Sequence, residues 1–102
     1  MAADAHVSIQ IDRSSTPVLV TVAGEVDAEA APELVEAIAG SGGSDLAFDL
    51  AGVTFIDSSG LRVIAGAAGE AEEAGRRCTV VAASPAVERI FAMTGLTSLI
   101  DG

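Results

Sequence analysis

The order of apolar patterns along the chain is the feature that most constrains its fold. Apolar residues alternate with polar ones, or β-branched residues run together, at residues 7–11, 18–22, 46–50 and 78–82. Such segments are typical of strands. After the second, third and fourth segments, apolar residues instead recur every three to four positions, which predicts helices. The predicted order is therefore strand, strand, helix, strand, helix, strand, helix.

The predicted helices carry suitable residues at their ends. Pro32 and Pro85 each fall in a first turn, where the missing backbone N–H costs little, and Ser84 is the predicted N-cap of the last helix. Glycine follows each predicted last turn, as expected for a helix stop. In the first helix Leu34, Val35 and Ile38 are predicted to face the core. The first and last helices are predicted to cover residues 30–39 and 85–94, and the second is predicted to run from Ser58 or Ser59 to Ala74.

The connections predict a mixed sheet in one domain spanning residues 1–102. Strands separated by helices are usually parallel, whereas the first two, joined by turn residues 12–17, are expected to be antiparallel. Gly24 is expected to end the second strand. AGVTFI, residues 51–56, is expected to be a connection, and LTSLI, residues 96–100, is a candidate fifth strand. The fold class is therefore α/β.

Composition argues against several classes of function. Fifteen acidic residues against five arginines, with no lysine, give a formal net charge of −10. This balance disfavours partners that present phosphate groups, both nucleic acids and anionic membranes. The chain has one cysteine, Cys78, and one histidine, His6, so we expect no disulfide, metal site or cofactor, and interpret both residues as structural. Without a signal peptide or membrane span in the sequence, the expected location is the cytoplasm.

The segment FIDSSGL, residues 55–61, carries the most chemical information. Asp57 can cap the following helix, and Gly60 permits close approach of another chain segment. A helix amino terminus favours negative charge by about 0.3 to 1 kcal/mol at an exposed site, so a phosphate on Ser58 or Ser59 would be stabilised there. Ordinary capping by Asp57 and Ser58 is the alternative interpretation. The segment is not a nucleophile elbow, and the absence of lysine rules out a Walker site, so an enzyme is not expected.

Four segments together resemble the STAS domain family, in particular its single-domain bacterial anti-sigma factor antagonists. The likeness covers nearly the whole chain. It implies a mixed four- to five-stranded sheet with helices packed mainly on one side. The matching segments are GEVD at 24–27, APEL at 31–34, DLAGVTFIDSSGL at 49–61 and SPAVERIFAMTGL at 84–96.

The resemblance also implies a mechanism of partner switching. In that family the serine directly after the aspartate, here Ser58, is phosphorylated by an anti-sigma factor that is also a serine kinase. The unphosphorylated antagonist binds the anti-sigma factor and releases the sigma factor, and a metal-dependent serine phosphatase resets the phosphorylated form. Ser59 is the second choice of acceptor. The alternative function is a STAS adaptor subunit, without a switch, in a signalling assembly or a lipid transporter.

Two residues depart from the family pattern. Ala30 stands where threonine is common, which weakens a helix cap by about 1 kcal/mol. Arg62 stands where the family often has a small residue, four positions after Ser58. Helical side chains point towards the amino terminus, so we hypothesise that Arg62 stabilises a phosphate on Ser58. The alternatives are that Arg62 faces the partner or that it faces water.

The second predicted helix has two stripes. Ser58, Arg62, Gly66, Gly69 and Glu73 share an exposed stripe, which we interpret as a docking surface that a partner can approach closely. The alternative is that the two glycines permit tight packing within the fold. The stripe expected to face the sheet consists of Leu61, Ile64, Ala65, Ala68 and Ala71.

Acidic residues after the second strand complete the candidate site. Asp27 matches an acidic position that the family keeps near the phosphorylation site, and we predict a recognition role for it and for Glu25. A solvated or capping carboxylate is the alternative. The predicted partner-binding residues are Glu25, Asp27, Asp57, Ser58, Ser59, Gly60, Arg62, Gly66 and Gly69.

Overall fold

A computed structural model describes residues 6–101 of the chain and, at Asp101, the backbone alone. Within this range the strands lie in the order β1-β2-β3-β4, with β1 antiparallel to β2 and the other two pairs parallel. The predicted mixed sheet is therefore confirmed. Its elements are β1 (Val7–Asp12), β2 (Val18–Val26), α1 (Ala31–Ala39), β3 (Leu46–Ile56), α2 (Ser58–Glu73), β4 (Cys78–Ala83), α3 (Pro85–Thr94) and α4 (Ser98–Asp101).

The centre of the core is a row of side chains that crosses the parallel strands. Val20 pairs with Phe48, and Phe48 pairs with Val80. Each of the three is at most 1% exposed. These residues come from the apolar strand segments of the sequence, whose burial on a sheet face stabilises the fold by roughly 1.5 to 3 kcal/mol per large side chain. The row therefore holds the three parallel strands in register.

Helices cover the face of the sheet that carries this row. Leu34 of α1, Ile64 of α2 and Phe91 of α3 are buried in the same apolar cluster as Phe48. Side chains alternate between the two faces of a strand, and Val81, next to the buried Val80, is exposed. The helices therefore lie on one side, as the family resemblance implied.

The buried stripe of α2 differs from the predicted one. Ala65 and Ala68 are only half-buried, so they flank the buried face. Residues 64, 67 and 71 follow the three-to-four spacing of a helix, and this spacing sets the face that meets the sheet. The buried residues are Gly60, Leu61, Ile64, Ala67 and Ala71.

Gly24 does not end β2, contrary to the prediction. The strand continues to Val26, with irregular pairing to β3 between Thr21 and Ala23 and between Gly24 and Glu25. Gly24 has φ +96°, and a Cβ atom there would overlap the carbonyl oxygen of His6. The glycine therefore permits an irregular, closely approached strand rather than a strand end.

The expected connection at residues 51–56 is also a strand. β3 extends to Ile56 because its second half continues to pair with β2, as Val53 does with Gly24 and Phe55 with Glu25. Ala51 and Gly52 interrupt the alternation of buried residues, which concealed this continuation in the sequence. The longer strands carry the Glu25–Asp27 segment to the start of α2.

LTSLI does not add a fifth strand, and the described sheet has four. The backbone N–H of Leu99 bonds to the carbonyl of Leu96, and that of Ile100 to the carbonyl of Thr97, which are helical turns. Leu96, Leu99 and Ile100 pack against the core at three-to-four spacing, and this spacing favours the short helix α4 over a strand.

Most predicted helix ends are confirmed within one residue. Ser84 caps α3, since its hydroxyl accepts a hydrogen bond from the backbone N–H of Val87 at 3.3 Å, and Gly95 ends the helix with φ +77°. α2 ends at Glu73 rather than Ala74, and α1 begins at Ala31. In the described part of the chain, no helix has both the length and the apolar character needed to cross a membrane.

Candidate functional site

The carboxyl ends of β2 and β3 bring two predicted parts of the site together. Val26 and Ile56, the last residues of the strands, are paired. The backbone N–H of Asp57 then bonds to the carbonyl of Val26 at 3.3 Å. The acidic segment after β2 and the serine segment after β3 therefore leave neighbouring strands at the same edge of the sheet.

Asp57 is the N-cap of α2. Its Oδ1 atom accepts hydrogen bonds from the backbone N–H groups of Ser59, at 2.8 Å, and Gly60, at 3.2 Å. Its carbonyl accepts from Leu61 at 3.0 Å. The alternative interpretation, capping by Asp57 and Ser58, is therefore correct for Asp57. Ser58 is not a cap but the first residue of the helix. The cap fixes the orientation of the first turn and hence of both serines.

The two serines differ in accessibility. Ser58 is exposed, and within residues 6–101 its hydroxyl makes no hydrogen bond. Ser59 is half-buried and lines a groove between α1 and α2. The Ser58 side chain is thus accessible, and its hydroxyl is not engaged by the described part of the fold.

Gly60 is required by close packing. A Cβ atom at this position would lie 2.5 Å from Cγ1 of Val26 and 2.6 Å from the Val26 carbonyl oxygen. Backbone atoms at the end of a paired strand cannot shift cheaply. The glycine therefore lets the first turn of α2 rest directly on the end of β2, and this contact sets the position of Ser58.

An open groove, which we call the α1–α2 groove, runs beside these serines. One part, of about 440 Å³, lies between Pro32 and Val35 of α1 and Ser59, Arg62 and Val63 of α2. A second part, of about 280 Å³, continues along Val35, Arg62 and Val63 to Gly66. Val35 is 51% exposed, so the prediction that it faces the core is wrong, whereas Leu34 is buried and Ile38 packs against the core.

The exposed stripe of α2 matches the prediction in its placement. Ser58, Arg62, Gly66, Gly69 and Glu73 are all exposed. A Cβ atom at Gly66 or Gly69 would meet no other atom within 4 Å. The alternative that these two glycines permit tight packing within the fold is therefore wrong. They leave a smooth, open helix face, and its use for docking stays a prediction.

Asp27 organises the turn that precedes α1. Its Oδ1 atom accepts hydrogen bonds from the backbone N–H groups of Glu29 and Ala30, each at 3.1 Å. Its carbonyl accepts from Ala30 and Ala31. Asp27 thereby pairs backbone donors of the turn that leads into α1, and the capping alternative accounts for its geometry.

His6 also bonds to Asp27, which the sequence interpretation missed. Its Nε2 atom lies 3.1 Å from the same Asp27 Oδ1. The hydrogen bond to Asp27 raises the pKa of His6, against a smaller opposing effect of burial, and the charges of Asp27, Glu29 and Glu25 add to the rise. The same bond lowers the pKa of Asp27. His6 lies near this loop because β1 and β2 are antiparallel and Val7 pairs with Gly24. The predicted antiparallel pairing of these strands was the sequence signal for this proximity.

Among residues 6–101, one group has the spacing of metal ligands. Atoms of His6, Glu25 and Asp27 lie within 4.8 Å of one another. The Asp27 Oδ1 atom, however, already accepts hydrogen bonds from two backbone N–H groups and contacts the imidazole. Hydrogen bonding explains the arrangement, and we assign no metal to it.

Cys78 lies away from this edge, at the start of β4. It is half-buried and packs against the core. Burial raises the pKa of its thiol, and the nearby charge of Arg76 opposes this effect. A raised pKa disfavours the reactive thiolate, in keeping with a packing role.

The fold and the serine segment agree with what comparison with known proteins finds. A family model described as "Mlab, STAS domain" matches residues 9–101. The chain belongs to the STAS domain family. The match spans every strand but the start of β1, so the family resemblance inferred from four segments is confirmed.

Relatives of this STAS domain carry related names. The chain is 30% identical over 98 residues to an anti-sigma-B factor antagonist of Bacillus subtilis (strain 168), covering 94% of this chain and 90% of that protein. It is 33% identical over 100 residues to an anti-sigma-B factor antagonist of Listeria monocytogenes, covering 94% and 88%. A crystal structure of an anti-sigma factor antagonist from Mycobacterium paratuberculosis superposes with a TM-score of 0.81 at 29% identity, covering 98% and 87%.

The packing of α2 predicts opposite effects of alanine at two of its glycines. Gly60→Ala should lower the free energy of unfolding by about 1 to 3 kcal/mol, because the new methyl group meets Val26. Gly66→Ala should raise it by about 1 kcal/mol, because the methyl group points into open space and alanine favours a helix. Urea unfolding measures both. A loss of stability in Gly66→Ala similar to that in Gly60→Ala would contradict the packing described.

The pair of His6 and Asp27 predicts a pH dependence of stability. The raised pKa of His6 stabilises the fold fully below 6.5 and loses its effect as pH rises through the folded pKa. The lowered pKa of Asp27 stabilises the fold above 3.8 and loses its effect as pH falls. The stability difference between the wild type and Asp27→Asn should therefore be largest between these two values.

Unfolding by urea at several pH values measures this difference, and an NMR titration follows the imidazole directly. The side-chain amide oxygen introduced by Asp27→Asn would still accept the backbone hydrogen bonds, so this substitution removes mainly the charge. The titration midpoint of His6 should fall in this variant. A midpoint equal to that of the wild type would show that Asp27 does not set it.

Proposed function

We propose that this protein is an anti-sigma factor antagonist switched by phosphorylation. In the unphosphorylated state it binds an anti-sigma factor through the start and exposed face of α2, so that the sigma factor is released. Phosphorylation of Ser58 ends this binding. The proposed acceptor is Ser58, and the second choice is Ser59.

The placement of Ser58 carries this proposal. Its side chain is exposed at the first residue of α2, and the hydroxyl makes no hydrogen bond within residues 6–101. A kinase can therefore reach it without unfolding the helix. Ser59 is half-buried in the α1–α2 groove and is less accessible. The names of the relatives from Bacillus subtilis and Listeria monocytogenes, both anti-sigma-B factor antagonists, support the same function.

The expected free energies are sufficient for a switch without refolding. Each tenfold change in affinity requires about 1.4 kcal/mol. Burying a phosphate dianion in an interface costs several kcal/mol when cations do not fully compensate its charge. The carboxylates of Glu25, Asp27 and Asp57 lie at the same edge and would add to the local negative charge. A single phosphate at Ser58 can therefore abolish binding by a local effect.

Three further features belong to this proposed function. The anti-sigma factor is itself the serine kinase, and a metal-dependent serine phosphatase removes the phosphate. The protein acts in the cytoplasm, where sigma factors meet RNA polymerase. Its proposed role is binding rather than catalysis, in keeping with the regulatory names of its relatives.

A STAS adaptor without a switch is the second candidate. The description of the matching family model includes the name Mlab, which does not refer to an anti-sigma factor. Co-purification separates the two functions. A partner with serine kinase activity supports the antagonist, and a stable assembly with a transporter supports the adaptor.

Substitution of Ser58 tests the proposed switch. Ser58→Ala should bind the anti-sigma factor but incorporate no phosphate, whereas Ser58→Asp should weaken binding at least tenfold because it adds negative charge to the interface. Candidate anti-sigma kinases with ATP, followed by mass spectrometry, locate the phosphate, and calorimetry measures the affinity. Ser59→Ala is the control and should be phosphorylated normally. Normal phosphate incorporation into Ser58→Ala would overturn the assignment.

The open face of α2 generates a second test. Gly69→Gln should weaken binding of the anti-sigma factor at least tenfold, because the longer side chain blocks close approach of the partner. The fold should persist, because the position is open and glutamine has a higher helix propensity than glycine. Ala92→Gln, at an exposed position of α3, is the matched control. Unchanged affinity in a folded Gly69→Gln protein would show that this face does not dock.

A further inference from the structure

Arg62 has no structural partner in the described part of the chain. The guanidinium groups of Arg13 and Arg76 donate hydrogen bonds to the carbonyls of Gly40 and Ser44, whereas in this range those of Arg77 and Arg89 are unpaired, as that of Arg62 is. Within residues 6–101 the guanidinium of Arg62 makes no hydrogen bond and no ion pair within 4.0 Å. The start of a helix carries partial positive charge, and the first turn of α2 contains no acidic residue. Within this range the guanidinium of Arg62 is therefore available to bind an added anion.

The position of Arg62 relative to Ser58 is favourable for an ion pair. Residues four apart on a helix are neighbours on its surface, and helical side chains lean towards the amino terminus. An anion that precedes a cation by four residues is the more stabilising order, because it also suits the helix dipole. A phosphate on Ser58 would have this relation to Arg62, and both side chains are exposed.

Arg62 is also part of the α1–α2 groove. It lines both parts of the groove together with Val35 and Val63. The groove wall is otherwise mainly apolar near Arg62, with Pro32 and Val35 on the side of α1. The same side chain therefore stands one turn from the proposed phosphate and beside an apolar surface contributed by a different helix.

We infer that phosphorylation of Ser58 draws the guanidinium of Arg62 out of the α1–α2 groove and onto the phosphate. This inference rests on the proposed function, because it requires phosphate at Ser58. A guanidinium binds phosphate with charge-assisted hydrogen bonds, which are stronger than those between neutral groups. Arg62 has no other ion pair to break within residues 6–101.

The movement extends the effect of phosphorylation beyond the phosphate. When Arg62 moves to the phosphate, Val35 of α1 and Val63 of α2 lose a charged neighbour, and the lining that the two parts of the groove share becomes more apolar. A partner seated over α2 would then meet a phosphate at Ser58 and a rearranged groove beside it. Both changes occur without a change in the backbone.

Phosphoserine placed at position 58 during translation tests the inference without a kinase. A phosphorus NMR titration measures the second pKa of the phosphate, which is about 6 for free phosphoserine. In Arg62→Gln this pKa should be higher than in the wild type by about 0.3 to 0.6, since the cation that favours the dianion is lost. Arg62→Lys should retain part of the effect.

Arg89→Gln is the matched control, because Arg89 is an exposed arginine of α3. It should leave the phosphate pKa unchanged. The carboxylates near this edge and in the groove are common to all variants, so the difference between Arg62→Gln and Arg89→Gln isolates the guanidinium of Arg62. These carboxylates are Glu25, Asp27, Asp57 and Glu70.

The methyl signals of Val35 report the groove directly. Phosphoserine at position 58 should shift them in the wild type and in Arg89→Gln, and the shift should be at least halved in Arg62→Gln. Equal phosphate pKa values in the wild type and Arg62→Gln, or equal Val35 shifts in the two, would overturn the inference. Failure of every candidate kinase to modify Ser58 would instead count against the proposed function and would leave these measurements unaffected.

Discussion

The parallel pairing of β2 with β3 is the interaction on which the rest of the structure depends. Its central pair, Val20 and Phe48, is fully buried under the helices, and its last pair, Val26 and Ile56, brings two loops to one edge. The first turn of α2 then packs directly on Val26, through Gly60. The position of Ser58 is thus a consequence of strand register, carried through one hydrogen bond and one close backbone contact.

The negative charge of the chain makes a local mechanism necessary. A phosphate adds about two negative charges to a chain that already carries −10, and charges in solution are screened beyond roughly 8 Å at physiological salt. A change in net charge therefore distinguishes the phosphorylated state from the unphosphorylated state poorly. In the proposed switch, the immediate surroundings of Ser58 therefore provide the difference. Asp57 holds the helix start, Arg62 lies one turn away, and the open face beyond it offers a partner room.

Sequence patterns predicted the elements where periodicity was clear and failed where it was interrupted. The β-branched apolar run at residues 18–22 and the alternation at residues 46–50 identified the central strands, and Ser84 with Pro85 identified the start of α3. The second half of β3 was missed because Ala51 and Gly52 break the alternation, although pairing with β2 continues. Val35 has the spacing of a core residue, yet it is exposed because α2 leaves a groove at that point.

The sequence by itself determined the order of elements, the acidic character of the surface, the family and the serine segment that begins α2. These properties depend on local composition and spacing, which a linear chain displays. Only the tertiary structure decided that His6 bonds to Asp27, that Gly60 rests on Val26 while Gly66 and Gly69 face open space, and that Arg62 borders a groove. The reason is physical. Each of these facts depends on which residue lies opposite in space. Strand register and helix packing decide this, and they bring together residues that are too far apart in the sequence for a local pattern to relate them.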